Sequence, residues 1–508
     1  MANDFFRRPL QNLAFSLGAS RAAPCYCEAL ITVTNQGNRA MEKFFELCGA
    51  NNVKRDQRGK HLLWKLSAAA IASASIASAL AQGTPSPPAK PPSFPCGGTN
   101  PVGVQLAPIP KLSNGEFTNA GADCAMWQTF IYLNWPAKPG PRGVPDTSQM
   151  MGAPGMTVWE SFLTSEQVFL PNGATPMPWT RLAAHPLMGS TAPKALANDA
   201  GAGKVRVLAR SAKVSQAVAK LRTTLTANSP TNIPLDEIKQ ADGNTLYDQQ
   251  KNPVYYDVAM NKVQYDYITT NKLYNAGSQA TYATKQNIIL PQGSIEVKAA
   301  WKMLTAAEAA SGRFHIAKGY VPGSVGGKTV PIGLVGFHVF ASGGAQNAGL
   351  WATFYQIDNA PLLGKPGTQS YSFFNAASNT PVNTKGTSPT QVAQVFPDDA
   401  TAATINKEAQ QLFIKGNPKS PWQYYAMIDT QWSKTVLNLK TPVPLTAPVS
   451  PGKPGDISTN TLINPVLETF MQTQNNSCMG CHSFATTAQP NSTIATGFSF
   501  MFGNAQGK

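Results

Sequence analysis

The sequence predicts an α+β fold built on a central antiparallel sheet, with peripheral helices and long Pro/Gly-rich loops. Three observations carry this expectation. Apolar residues alternate with period two in residues 287–304, a strand pattern, and residues 329–340 and 350–357 read as two more strands. Residues 402–414 and 462–474 show helical spacing instead. Glycine and proline, 41 of each in 508 residues, break the chain too often for a helical bundle.

Taken in order, residues 1–81 read as a leader. Lys54 to Lys65 is basic, 66–79 is an uncharged Ala/Ser/Ile/Leu stretch, and Ala79-Leu80-Ala81 has the small-x-small pattern of a cleavage site. The mature chain is expected to begin at Gln82 in the periplasm. The uncharged stretch is too short and alanine-rich to span a bilayer, which needs about 20 strongly apolar residues, so no integral membrane segment is expected in the mature chain. Residues 1–51 have no place in an exported product and read as a misassigned start; Cys25, Cys27 and Cys48 lie within them and are assigned no chemistry. Residues 82–95, with six prolines, form an extended linker.

A body over 96–460 follows. From 96 to 179 short apolar runs, including Trp127 to Trp135, are interrupted by Pro and Gly and suggest loop-rich packing. Residues 205–225 and the Tyr-rich 253–275 look like surface helices. The strand patterns come next, with Gly293 as a turn and with Gly343 and Gly344 between the second and third, so that these two form a hairpin. Residues 424–432 add a fourth strand. In an oxidising compartment Cys96 and Cys124 are free to pair with each other.

Residues 461–508 hold the most specific motif, Cys478-Met479-Gly480-Cys481-His482. Two thiols at this spacing can each add to one vinyl group of a haem, and the histidine that follows can ligate the iron; Cys-x-x-Cys-His is the attachment signal of haem c. One covalent haem is therefore expected near the carboxyl terminus, on Cys478 and Cys481, with His482 as the metal ligand. A structural zinc site requires a second ligand pair, which the mature chain lacks. A thioredoxin-like pair requires a βαβ setting.

Only 26 residues follow His482, too few to wrap a haem and return a second axial ligand, so the body must build the distal side. Met501, His185, His315, His338 and a vacant position all stay open as the sixth site. The strands at 293–304, 329–340 and 350–357 are expected near the haem, with a face formed by Leu334, Gly336 and His338 turned inward. Formal net charge is +15, and the mature chain remains basic. Its basic residues are scattered, without a nucleic-acid signature, so the charge points to an acidic redox partner and to no nucleic acid.

A β-rich body with one Cys-x-x-Cys-His near its end resembles the lysine-cross-linked c-haem cytochromes that oxidise hydroxylamine and their nitric-oxide-binding relatives. The resemblance rests on Cys478 to His482, on Phe498-Ser499-Phe500-Met501-Phe502 and on Pro291 to Lys298. It implies Lys298 as the residue that would bond to the porphyrin. More broadly the chain resembles exported bacterial c-type cytochrome family proteins, through Trp127 to Pro136, Gly293 to Trp301 and the haem motif. The long amino-terminal half has no counterpart in the first group. Three functions follow as expectations: electron transfer by a soluble monohaem cytochrome, a haem oxidoreductase or small-ligand binder with an open iron, or a scaffold or sensor with a structural haem.

Overall fold

The alternating segments pair into one curled mixed sheet. The computed structural model describes residues 118–180, 196, 204–207, 244–320, 329–343, 348–451 and 455–507. In chain order the regular elements are α1 (Asn119–Leu133), β1 (Leu163–Thr164), α2 (Ser165–Val168), β2 (Val205–Val207), β3 (Tyr255–Met260), α3 (Lys262–Thr270) and α4 (Ala276–Ala283). They continue with β4 (Ile295–Met303), α5 (Ala306–Ala310), β5 (Ile316–Tyr320), β6 (Thr329–Ala341), β7 (Leu350–Gln356), α6 (Ala400–Gly416), β8 (Tyr425–Gln431) and α7 (Cys478–His482). The leader, the linker and Cys96 lie outside the described residues, all of which belong to a single compact unit.

The long β6 organises the sheet. One edge pairs with β4, and β4 in turn with β3 and then β1. The other edge is shared: Thr329 to Gly333 pairs with β5, and Gly336 to Ala341 pairs with β7, which carries β8. These pairings are antiparallel, but β2 joins β5 in parallel. The expected antiparallel sheet is thus mixed at that edge. Val205 to Val207, expected to open a helix, is instead the strand that makes it so; residues 208–225 lie outside the described residues.

Each face has its own cover. On one, Phe337 and Phe354 pack on α1, where Phe130 lies 5.8 Å from the first ring and 4.3 Å from the second. The Trp127 indole N–H of α1 donates to Asn406 Oδ1 of α6 at 3.0 Å, tying the two covering helices together. α1 is capped by the Thr118 side chain and is buried on nearly every side. Apolar residues all round a helix leave no stripe to read, and this accounts for its absence from the sequence expectation.

The other face carries Glu296 and Lys298 of β4, Gly336, His338 and Phe340 of β6, and Trp351 and Thr353 of β7 as cross-strand neighbours. The chain from 462 to the end lies across it. Asn464 donates to Thr353 Oγ1 and to the Phe354 carbonyl, both at 2.8 Å. A Cβ at Gly336 would meet Val466 Cγ2 at 2.8 Å, so glycine is what lets this segment lie so close. Leu334 departs from the expected face. Between Ala300 and Trp301 the register moves two residues on β6 for one on β4, a bulge at Val335 that inverts the alternation. Leu334 joins the core of Trp301 and Phe337, while Val335 packs with Val466 and Leu467.

Residues 253–275, expected as one helix, divide into β3 and α3, with the Asn261 side chain capping α3. Residues 462–474 form turns and a short 3-10 stretch, Thr469–Met471, in place of the expected helix. The Asn464 side chain also accepts from the Val466 N–H at 3.0 Å, and such local bonds compete with a helix; Pro465 adds a missing donor. No described helix is long and apolar enough to cross a membrane.

Candidate functional site

α7 is a single turn. Ser477 caps it by accepting from the Gly480 N–H at 3.2 Å, and the Met479 N–H donates to Gln431 Oε1 of β8 at 2.8 Å. Cys478 and Met479 are buried against the body, while Cys481 and His482 are half-buried. Residues i and i+3 of a helix share a side, so Cys478 and Cys481 stand together. Neither cysteine is in a disulfide. Burial pushes the Cys478 thiol well up, reinforced by the nearby Glu468 carboxylate.

The His482 ring is fixed from three directions. Nδ1 lies 2.7 Å from the Phe498 carbonyl oxygen; a carbonyl can only accept, so Nδ1 carries the proton and Nε2 keeps its lone pair. Trp351 and Phe500 flank the imidazole, with ring centroids 4.6 Å and 4.8 Å away, and Phe340 stacks on Trp351 at 4.1 Å. Phe498 takes a left-handed backbone, φ 73°, an uncommon conformation for a bulky residue. Its side chain is buried, and the Thr496 hydroxyl, donating to the Ser499 carbonyl, closes the same turn. Burial lowers the His482 pKa to about 4; the Phe498 bond acts the other way, and the charges of His338 and Lys298 add to the lowering. The imidazole is therefore neutral at ordinary pH.

A second layer comes from the sheet. Lys298 and His338 are register partners on β4 and β6. His338 Nε2 is 3.0 Å from Glu468 Oε1, and Glu468 Oε2 accepts the Asn464 N–H at 3.0 Å. Burial alone would raise the Glu468 carboxyl, but His338, Lys298 and that amide outweigh it and hold the group below the usual carboxylate range. The Lys298 ammonium lies 5.3 Å from the centre of the Tyr256 ring.

The other candidates separate from this group. Met501 is buried, and its sulfur accepts from Gln264 Nε2 at 3.2 Å. The same amide donates to Glu296, whose carboxyl burial pushes up to about 7. His315 belongs to another cluster, 2.9 Å from Glu160 Oε2 and stacked on Trp422. His185 lies outside the described residues.

Glu468, Gln431, Trp351 and the Phe498 carbonyl were not legible as site residues. Only Glu468 left a trace in the sequence, as a lone acid in an apolar segment shortly before the motif. The donor set fits a covalently attached haem: two cysteines outside any disulfide, one helical turn apart, and beside them a neutral imidazole with Nε2 as its basic nitrogen. The chain matches no protein-family model, no curated protein and no solved structure.

Proposed function

We propose that this protein is an exported, soluble, monohaem c-type cytochrome that transfers electrons in the periplasm to or from an acidic partner protein. Cys478 and Cys481 would hold the haem and His482 Nε2 would ligate its iron. Each thiol would hold the group by adding its S–H across a vinyl group, sulfur to one vinyl carbon and hydrogen to the other, with no oxidant consumed. The bound group supplies a one-electron couple. The chain's own residues do the rest. Phe498 orients His482 and makes Nε2 more basic, as such partners do for ligating histidines; Trp351 and Phe500 keep water from the ring, and Gln431 holds the start of α7 on the sheet. The observation that carries the reading is the Cys-x-x-Cys-His helix with the His482 Nδ1 proton committed to a backbone carbonyl.

The test is the pyridine haemochrome of protein made in a host with haem-attachment machinery. Cys478→Ala and Cys481→Ala should each shift the band in the manner of a single remaining thioether, and the double variant should release its haem. An unshifted band in both single variants would exclude attachment through these thiols.

A second reading, a haem oxidoreductase or small-ligand binder with an open iron, is favoured by the Lys298, His338 and Glu468 group. A pure electron carrier has no need of paired charges on the sheet beneath its haem ligand. Carbon monoxide distinguishes the two, because it binds reduced iron readily where the sixth position is vacant or weakly held.

A further inference from the structure

Outside the Cys478–His482 segment, three carboxylates converge where α1, the start of α6 and β8 meet. Asp123 projects from α1, Asp399 is the N-cap residue of α6, and Asp429 belongs to β8. Each offers an oxygen within 4.8 Å of those of the other two. Their Oδ1 atoms are already oriented: that of Asp123 accepts the Thr430 hydroxyl at 2.6 Å, that of Asp399 the Thr401 N–H at 2.8 Å, and that of Asp429 the Thr430 N–H at 2.7 Å.

Asp123 supplies the observation that points to a ligand. The residue is wholly buried, and its Oδ2 has no hydrogen-bond partner. No ion pair joins any of the three to a described lysine, arginine or histidine. A buried carboxylate oxygen without donor or counter-charge is costly; a bound cation would offset that cost, as a proton does in its absence.

We infer that Asp123, Asp399 and Asp429 form a binding site for one hard divalent cation, with Ca2+ the best-fitting ion. Carboxylate oxygens select hard cations over zinc or copper. Ca2+ takes about six to eight oxygen ligands in flexible geometry, whereas Mg2+ demands near-ideal octahedral geometry and gives up its waters reluctantly, so a buried group of protein carboxylates suits Ca2+ better. Burial, and then mutual repulsion among the acids, push Asp123 up to about 7 and Asp429 up to about 8. Binding would accordingly displace protons. The ion would clamp both covering helices to β8, the strand whose Gln431 holds α7.

The purified full-length protein, stripped with chelator and dialysed, tests this with Ca2+ itself. Calorimetric titration should find one Ca2+ per chain, and saturating Ca2+ should raise Tm by about 3 °C or more. Asp123→Asn should lose both effects. Asp399→Ser removes the ligand but keeps a side chain able to cap α6, so it should fold and also lose Ca2+ binding even if Asp123→Asn does not fold. The proposal fails if the stripped wild type neither binds Ca2+ nor gains stability from it. It fails equally if Asp399→Ser keeps the full calcium response.

Discussion

A single backbone acceptor governs the chemistry at His482. With Nδ1 donating to Phe498, the ring presents one basic nitrogen in one orientation, between Trp351 and Phe500. Burial keeps it neutral, and a metal requires the neutral form. His338 has a different standing. Its Nε2 faces Glu468 Oε1 at 3.0 Å, so under the proposed haem attachment His338→Ala should leave the iron spin state unchanged and alter carbon monoxide affinity. A change from low to high spin in that variant would instead make His338 an iron ligand. Cys478, Cys481 and His482 stand out in the sequence because Cys-x-x-Cys-His is a fixed spacing. Glu468 and the Phe498 carbonyl do not, because they are brought to the site by the sheet and the tail turn.

At the scale of elements, contact between the carboxyl-terminal segment and β6 depends on one missing side chain. Gly336→Val would place atoms where Val466 Cγ2 stands 2.8 Å from an ideal Cβ. Overpacking of this kind costs about 1–3 kcal/mol. Thermal unfolding should show the loss, and under the proposed haem attachment the haem spectrum should broaden as residues 462–467 lift from the sheet; an unchanged Tm would mean that the segment is not packed there. β4 was legible through the alternation of Ile295, Val297 and Ala299 with Glu296 and Lys298, and β6, β7 and β8 as short, largely apolar runs bounded by turn residues, which suits strands covered on both faces. α1 was hidden by burial on all sides. Residues 462–474 carry helical spacing, yet Asn464 spends its side chain on Thr353, Phe354 and Val466. The bulge at Val335 has no sequence signature, and so Leu334 was expected on the wrong face.

Over the whole molecule, a single sheet separates two covers: α1 and α6 on one face, the chain from 462 onward on the other. His482 stands on the second of these sides, between Trp351 of β7 and Phe500 of the tail. Cys124 is disulfide-bonded; non-reducing peptide mapping of the exported protein should recover Cys124 linked to Cys96, and no peptide from residues 1–81. A free Cys124 would contradict the first expectation, and leader peptides in the periplasmic product would contradict the second.

The most direct test of the account is extraction of the purified, exported protein with acidified organic solvent. With Cys478 and Cys481 as thioethers, one haem per chain should stay with the precipitated polypeptide and the solvent should remain colourless. Complete transfer of haem to the solvent, or purification of a protein that carries none, would contradict the account.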